Sequence, residues 1–316
     1  MCPADRSPAK ILSGSTREIA KLFVSRNFGV SDRHEVRFRF PKCSAFATMN
    51  RTHIKWLPIL IAGLFFTYQY CSSEKFVNPE TGRKSHVGLT TQQEAMLGLQ
   101  SYREVLSQAR AIDSGPEFEM VRRVSTRLAE ATGAAGHDFD WQESLIEDQQ
   151  ANAFCLPGGK IVVYTGILPI AENEAGLATV LGHEMAHATS RHGAQRVLQQ
   201  NLAQTAMTGI AVSLSDMDYD KQRAVMGALG AGAQFGVLMP FGRAHESEAD
   251  HIGLIYMARA GYDPHESIRF WERMERSGSG QPPEFLSTHP SHGRRIAQLQ
   301  GWMPEAEQEY QRATHR

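Results

Sequence analysis

The sequence contains, at residues 181–193, the stretch LGHEMAHATSRHG, with the pattern HEMAH at 183–187. Apolar residues precede and surround this pattern at helical spacing, which predicts a buried helix. Residues four apart on a helix lie one turn above each other, so the imidazoles of His183 and His187 project from one face and can bind one metal ion. Glu184 lies ~100° around the helix. The pattern therefore predicts a zinc site with His183 and His187 as ligands and Glu184 as the base that activates the attacking water.

A third ligand is expected, because catalytic zinc sites commonly use three protein ligands, and two histidines with one glutamate are a common set. Glu246 is the next glutamate after Glu184, and it stands in HESEAD at 245–250, ahead of apolar residues at helical spacing. Glu246 and Asp250 are four apart and share a helix face, whereas Glu248 is turned ~200° away. We expect Glu246 to bind the metal and Asp250 to accept the remaining N–H of a ligating histidine, which fixes the ring and its tautomer.

Other metal-binding patterns fit less well. The longer pattern H-E-x-x-H-x-x-G-x-x-H needs a glycine and a third histidine where this chain has Ser190 and Gly193. The acidic cluster SDMDYD at 215–220 is better explained by a charged turn between two helices. Three further histidines are expected at the rim of the site or on the surface: His192, His245 and His251.

Residues 138–168 have the character of short strands, DFDWQESLIEDQQANAFCLPGGKIVVYTGIL. Pro157-Gly158-Gly159 is a turn signal between two β-type runs, which predicts a hairpin within a small sheet. We expect the second run, residues 160–165, to be the edge strand to which an extended substrate adds through main-chain hydrogen bonds. The residues expected to bind substrate are Gly159, Lys160, Ile161, Val162 and Val163. From about residue 172 the chain is predicted to be helical almost to its end.

The N-terminal part contains an apolar run, WLPILIAGLFF at 56–66, which basic residues precede. This run suits a signal peptide or a membrane anchor over residues 49–73, with lipidation of Cys71 as a further alternative. Residues 1–48 are an extension, because Met49 starts the basic-then-apolar pattern; a transit peptide is the rival interpretation. The remaining expected segments are a linker (74–90), a catalytic domain (91–302) and a C-terminal tail (303–316).

Residues 195–239 are rich in Ala and Gly and fairly apolar, but they contain charged residues between 216 and 223. A membrane-spanning helix needs about 20 largely apolar residues. The sequence therefore predicts a helical hairpin packed on the protein or lying near a membrane, and no clean span.

Composition argues against nucleic-acid binding and against a structure held by cysteines. The formal net charge is -1, so no global basic field exists to recruit nucleic acid. The four cysteines are scattered, without a C-x-x-C pair, which argues against a disulfide framework or a thiolate zinc cluster.

Four stretches together resemble peptidase family M48, far more specifically than the HEMAH pattern alone. The resemblance covers roughly residues 85–300. The stretches are NAFCLPGGKIVVYTGIL at 152–168, LGHEMAHATSRHG at 181–193, RAHESEADHIG at 243–253 and STHPSHGRRI at 287–296.

The resemblance implies an α+β, zincin-like fold that is mostly helical, with a small sheet before the active-site helix. It implies one zinc ion per chain and the site residues His183, Glu184, His187, Glu246 and Asp250. The family's His-Pro element matches His289-Pro290. His289 is expected to contact the metal in a resting state, to stabilise the transition state, or to belong to a loop that only caps the last helix.

The family includes mitochondrial inner-membrane proteases and bacterial envelope proteases. The resemblance therefore implies cleavage of unfolded or damaged membrane or envelope proteins, with membrane association. The expected location is the cell envelope, membrane-anchored or periplasmic, with the mitochondrial inner membrane as the alternative. A role like that of the multi-spanning CAAX prenyl proteases is disfavoured, because no clean span is predicted.

Two other functions stay open from the sequence. A zinc amidase acting on a non-peptide substrate would have the same metal site. A non-catalytic chaperone or scaffold could keep the zinc fold, although the intact Glu184 argues against it, because a purely structural site needs no base.

Overall fold

A computed structural model gives the structure of residues 56–277, 283–289 and 293–315. The prediction for residues 1–48 falls outside these described residues. The helices of the described part are α1 (Leu57–Ser72), α2 (Thr91–Gln108), α3 (Pro116–Ala131), α4 (Leu168–Ala171), α5 (Glu174–Thr189), α6 (His192–Ser213), α7 (Tyr219–Ala233), α8 (Met239–Arg259), α9 (Glu266–Ser277), α10 (Glu284–Thr288) and α11 (Arg295–Thr314). The strands are β1 (Glu74–Val77), β2 (Lys84–Val87), β3 (Ala111–Ile112), β4 (Gln142–Ile146), β5 (Ala153–Leu156) and β6 (Lys160–Tyr164). Two 3-10 turns, Gly133–Gly136 and Thr165–Ile167, and a π-helical turn, Gln234–Leu238, complete the list. The fold is mostly helical with small sheets, as the sequence predicts.

Local signals in the sequence place the main helices. Thr90 caps α2 in a reciprocal capping box with Gln93, which satisfies two main-chain N–H groups at the helix start. Gly115, at φ 104°, separates β3 from α3, a conformation that glycine adopts readily. Asn173 caps α5 by accepting a hydrogen bond from the N–H of Gly176, so the HEMAH pattern falls within a single helix.

The larger sheet has the strand order β3-β4-β6-β5. β4 and β6 are parallel, whereas β5 and β6 form the predicted antiparallel hairpin. β6 is therefore an inner strand, and all five of its residues are buried. The prediction that residues 160–165 form the edge strand is wrong, because β4 pairs with the side of β6 that a substrate would need. The free edge beside α5 belongs to β5.

Helices α5 and α8 cross at two glycines. A Cβ added to Gly182 would lie 2.8 Å from the carbonyl oxygen of Gly253, and one added to Gly253 would lie 2.7 Å from the nitrogen of His183. Both distances are too short for a real contact. The two main chains can therefore approach this closely only because neither position has a side chain.

Residues 74–90, expected as a linker, contain an ordered antiparallel hairpin. β1 pairs with β2 from Glu74↔Val87 to Val77↔Lys84. Asn78 follows β1, is 2 % exposed, and donates to Ser190 and Glu248. The hairpin is packed on the catalytic part of the chain, so the expected linker is wrong.

The segment expected as a tail, residues 303–316, is helical as far as Thr314. α11 extends to Thr314, and Met303 and Ala306 are buried within it. The apolar positions of this helix face the core of the protein, which is why the helix continues beyond the predicted boundary.

The described part has one helix that is long and apolar enough to cross a membrane, judged by length and composition. It is the continuous helix Tyr219–Arg259, and none of its most apolar 18-residue window is buried. The expectation that no clean span exists is therefore wrong, because residues 224–242 carry no charged side chain. The shorter apolar helix α1 packs along α6, where Ala62 approaches Gly209, and none of its residues is fully buried.

Candidate metal centre

Three elements bring the predicted site residues together. α5 carries His183, Glu184 and His187, and α8 carries Glu246 across the glycine crossing. His289 follows α10, which is positioned by a hydrogen bond from the N–H of Phe285 to the carbonyl of Ala151. Four of these side chains form a cluster, with one ligand atom of each within 4.8 Å of the others: His183, His187, Glu246 and His289.

The donor atoms converge on one point. The two Nε2 atoms of His183 and His187 are 3.1 Å apart. Glu246 Oε2 is 3.4 Å from His183 Nε2, and Oε1 is 3.5 Å from His187 Nε2. His289 Nδ1 is 3.3 Å from His183 Nε2 and 3.2 Å from Glu246 Oε2.

These distances fit a tetrahedral metal ion. Ligands at 2.0–2.1 Å from a tetrahedral centre are about 3.3 Å from one another. The set of imidazole nitrogens and a carboxylate suits zinc and similar divalent ions. Burial lowers the pKa of His183, but its contacts with Asp250 and Glu246 outweigh burial and raise it to about 9. A bound cation has to displace this proton, so metal binding releases a proton.

Asp250 lies behind His183. Its Oδ1 is 2.9 Å from His183 Nδ1, although the N–H does not point straight at the oxygen. Its Oδ2 accepts from Arg295 Nε at 2.6 Å. Arg295, which is 1 % exposed, also donates to Glu246 Oε2. Arg295 therefore orients the carboxylates of both Asp250 and Glu246. Sequence spacing could not show this role, because Arg295 is 45 residues from Asp250 in the chain.

His192 and His245 are buried, and the expectation that they lie at the rim or surface is wrong. His192 Nδ1 is 2.9 Å from His187 Nδ1, and its Nε2 is 3.0 Å from Glu248 Oε2. The ring of His192 stacks on that of His245 at a centroid distance of 4.0 Å. His251 is only partly buried and contacts Glu305.

Glu248 is turned away from the donor cluster, as its position on the helix predicts. It accepts hydrogen bonds from the N-terminal hairpin, through Asn78, Thr81 and Arg83. It therefore stays ionised and can accept the Nε2–H of His192. This contact could not be predicted from the sequence, because Asn78 and Glu248 are 170 residues apart.

Glu184 is buried beside the donors. Burial raises the pKa of its carboxyl, against the lowering effect of His289 and His183. The main-chain N–H of Cys155 also favours the charged form. No described residue makes a hydrogen bond to Oε1, and His289 Nε2 is 3.3 Å from it. A base whose pKa is raised in this way is suited to accept a proton near neutral pH.

A cavity of about 200 Å³ gives access to the site. Its lining includes Glu184, His187, His289 and, from β5, Cys155. The residues predicted to bind substrate, 159–163, do not line it. Lys160 instead donates to Asp140 at 2.6 Å.

The free edge of β5 lies at this cavity. The N–H of Tyr164 donates to the carbonyl of Asn152. Because antiparallel ladders alternate, Ala153 and Cys155 turn their N–H and C=O groups away from β6. Burial raises the pKa of the Cys155 thiol, so the side chain stays neutral.

The part of the chain that contains this site matches a known protein family. The model for peptidase family M48 matches residues 116–303, which contain every residue of the donor cluster. The chain belongs to peptidase family M48.

Several M48 relatives are similar over most of this chain. Mitochondrial metalloendopeptidase OMA1 of Schizosaccharomyces pombe is 34% identical over 294 residues, which are 90% of this chain and 81% of the relative. Metalloendopeptidase OMA1 of Homo sapiens is 30% identical over 77% of this chain and 48% of the relative. The beta-barrel assembly-enhancing protease of Yersinia pestis is 30% identical over 69% of this chain and 46% of the relative. The chain thus spans about half the length of the human and bacterial relatives.

Membership of M48 makes the chain a metalloendopeptidase with an α+β, zincin-like fold. It also implies a metal cofactor, for which the donor cluster is the candidate site among the described residues.

Proposed function

We propose that this chain is a zinc endopeptidase that cleaves unfolded segments of membrane or envelope proteins. The observation that supports this most is the convergence of His183, His187 and Glu246 beside the buried Glu184. Three protein ligands with an adjacent carboxylate are the set that peptide hydrolysis by zinc requires.

In this proposal His183, His187 and Glu246 hold the ion. Zinc, when bound, supplies a Lewis acid that polarises the scissile carbonyl and lowers the pKa of water to ~7. Glu184 accepts the proton of the attacking water and passes it to the leaving amine. Asp250 and Arg295 keep His183 and Glu246 in place from behind.

We further propose that β5, and not β6, receives the substrate. An extended peptide can pair with the outward N–H and C=O groups of Ala153 and with the outward C=O of Cys155, whose N–H donates to Glu184. Because main-chain pairing carries little sequence information, the enzyme should accept many sequences, provided that they are unfolded.

His289 is the fourth donor of the cluster. Its Nδ1 is 3.2 Å from Glu246 Oε2, so it would hold the ion together with the other three side chains, and its Nε2 is 3.3 Å from Glu184 Oε1. We propose that this is a resting arrangement and that His289 moves aside before the substrate is cleaved.

The location proposed is a membrane surface, either of the cell envelope or of the mitochondrial inner membrane. The fungal and human relatives are named as mitochondrial, and the bacterial relative is named for assembly of β-barrels. The exposed apolar residues of α1 and of helix Tyr219–Arg259 support membrane association.

Casein cleavage by the purified protein tests the proposal. The wild-type protein should bind one zinc ion per chain by elemental analysis, cleave casein, and lose activity with a chelator. Glu184→Gln should keep the zinc and lose activity by about a hundredfold or more. The control is Glu117→Gln, which changes an exposed glutamate on α3 and should behave as wild type. Full activity of Glu184→Gln would refute the assigned base.

A further inference from the structure

A second cavity adjoins the candidate metal centre. It has a volume of about 400 Å³ and lies between α6 and α8, with Ser287 and Thr288 of α10 on one side. Glu246 forms part of its wall. Arg196 and Thr288 line both this cavity and the catalytic one. A peptide bound in the catalytic cavity can therefore place a neighbouring residue here.

The second cavity carries unbalanced positive charge. Arg196 of α6 and Arg243 of α8 both line it, and within the described chain neither guanidinium has an acidic partner. Other arginines near the site do have one: Arg191 contacts Glu94, and Arg295 contacts Asp250. Among the described lining residues the acid is Glu246, whose oxygens face the histidines of the donor cluster.

The cavity also offers a hydrogen-bond acceptor. Gln199 Oε1 is buried and has no partner among the described residues, although Gln199 lines the cavity. A buried acceptor without a donor is costly, and an N–H of a ligand in the cavity would satisfy this oxygen. An acidic residue in a peptide provides both groups, a carboxylate for the arginines and a main-chain N–H for Gln199. The phosphodiester group of a lipid provides acceptors only, and a lipid headgroup has no main-chain N–H beside its charge.

We propose that this cavity binds an Asp or Glu side chain of the substrate, a few residues from the cleaved bond, through Arg196 and Arg243. The proposal rests on the proposed endopeptidase function and adds a preference for acidic residues to it. Charge-assisted hydrogen bonds to guanidinium groups supply the selectivity.

The first test compares cleavage of matched fluorogenic peptides that carry Glu, Gln or Lys at each position flanking the cleaved bond. At one position the wild-type kcat/KM should be about tenfold higher for Glu than for Gln. In the double variant Arg196→Gln/Arg243→Gln this ratio should fall to about one. Arg276→Gln, which changes an exposed arginine outside the cavity, should keep the wild-type ratio. Arg196→Glu/Arg243→Glu should favour the Lys peptide.

The second test measures binding without cleavage. Fluorescence anisotropy compares the Glu and Gln peptides on the full chain carrying Glu184→Gln, with and without the two Arg→Gln changes. Tighter binding of the Glu peptide than of the Gln peptide supports the pocket if the difference is lost in the variant without the two arginines. If the wild type binds in this way but cleaves neither peptide, only the proposed endopeptidase function fails. The pocket is overturned if no position shows a Glu preference, or if the double variant keeps it. It is also overturned in favour of a lipid site if the arginines affect only binding to vesicles containing phosphatidylglycerol.

Discussion

His192 determines which nitrogen of His187 faces the donor cluster. Glu248 accepts from His192 Nε2, so the neutral ring of His192 presents an unprotonated Nδ1 to His187. Burial lowers the pKa of His192, which keeps the ring neutral at pH 7. His187 must then donate from Nδ1, which leaves its Nε2 lone pair directed at the metal position.

Substitution of His192 should therefore weaken metal binding. His192→Phe keeps a ring against His245 but removes the acceptor, and zinc affinity should fall about tenfold to a hundredfold. His192→Asn keeps an acceptor near the Nδ1 position and should bind zinc nearly as well as the wild type. Competition with a chelator measures the affinity, and the ¹⁵N shifts of His187 report its tautomer. Equal zinc affinity of the two variants would contradict the role given to His192.

At the scale of elements, the crossing of α5 and α8 sets the distance between the ligands of the two helices. Gly253→Ala would place a Cβ 2.9 Å from His183 Cα, so the helices must separate and carry Glu246 away from His183. We expect a loss of about 1–3 kcal/mol in the free energy of unfolding, as for other overpacked sites, together with weaker zinc binding. Thermal unfolding and chelator competition measure the two effects.

Gly227→Ala is the matched control for this prediction. Nothing lies within 4 Å of a Cβ at Gly227 in α7. Alanine should be neutral or stabilise the helix by up to about 1 kcal/mol. If Gly253→Ala proved as harmless as Gly227→Ala, the close approach would not be what places Glu246.

Elements that depend on local signals could be predicted from the sequence. Helix α5 has its own cap and apolar spacing, and the 153–164 hairpin has its own turn. The inner position of β6 could not be predicted, because it depends on parallel pairing with β4. β4 precedes the hairpin in the chain, so no local turn signal indicates this pairing. The hairpin β1–β2 was missed for a similar reason, since its polar residues find their partners on α8.

At the scale of the whole molecule, acid should weaken the fold through Glu266. Burial would raise the pKa of Glu266, but hydrogen bonds from Arg269 and Arg273 outweigh it and hold the pKa below 4.5. The stabilising effect is thus complete above pH 4.5 and is lost as the pH falls through the folded-state pKa. Arg273 also donates to the carbonyls of Ile170 and Ala171, so this contact joins α9 to the end of α4, just before α5.

Glu266→Gln should lower the free energy of unfolding at pH 7 by roughly 2 kcal/mol. The free energy of unfolding of this variant should also fall less than that of the wild type between pH 6 and pH 3, since no carboxylate remains to be protonated at this position. Denaturant titrations at each pH measure both values. A pH dependence as steep as that of the wild type would exclude Glu266 as a source of acid sensitivity.

The exposed apolar part of helix Tyr219–Arg259 should bind membranes. Phe235 and Val237 are 68% and 59% exposed. Phe235→Glu/Val237→Glu should reduce cosedimentation with phosphatidylcholine vesicles about tenfold or more, because charged residues enter a bilayer at high cost. Met96→Glu changes a side chain of equal exposure, 68%, on α2, and should leave cosedimentation unchanged. An equal loss of cosedimentation in both variants would mean that added surface charge, and not this helix, causes the effect.

The hairpin β1–β2 has a practical consequence for recombinant work. It precedes residue 116, where the match to the family model begins, yet it supplies the arginine and amide that surround Glu248. A fragment trimmed to 116–303 would leave the Glu248 carboxylate next to His192 without the arginine and amide of the hairpin. It would also end α11 before the buried Ala306. Because Arg83 is 36% exposed, the cost is smaller than for a fully buried pair, about 1.5–3 kcal/mol for the hydrogen bonds lost by the Glu248 carboxylate. Domain limits drawn from family similarity alone would thus yield an unstable protein, and expression should begin upstream of Glu74.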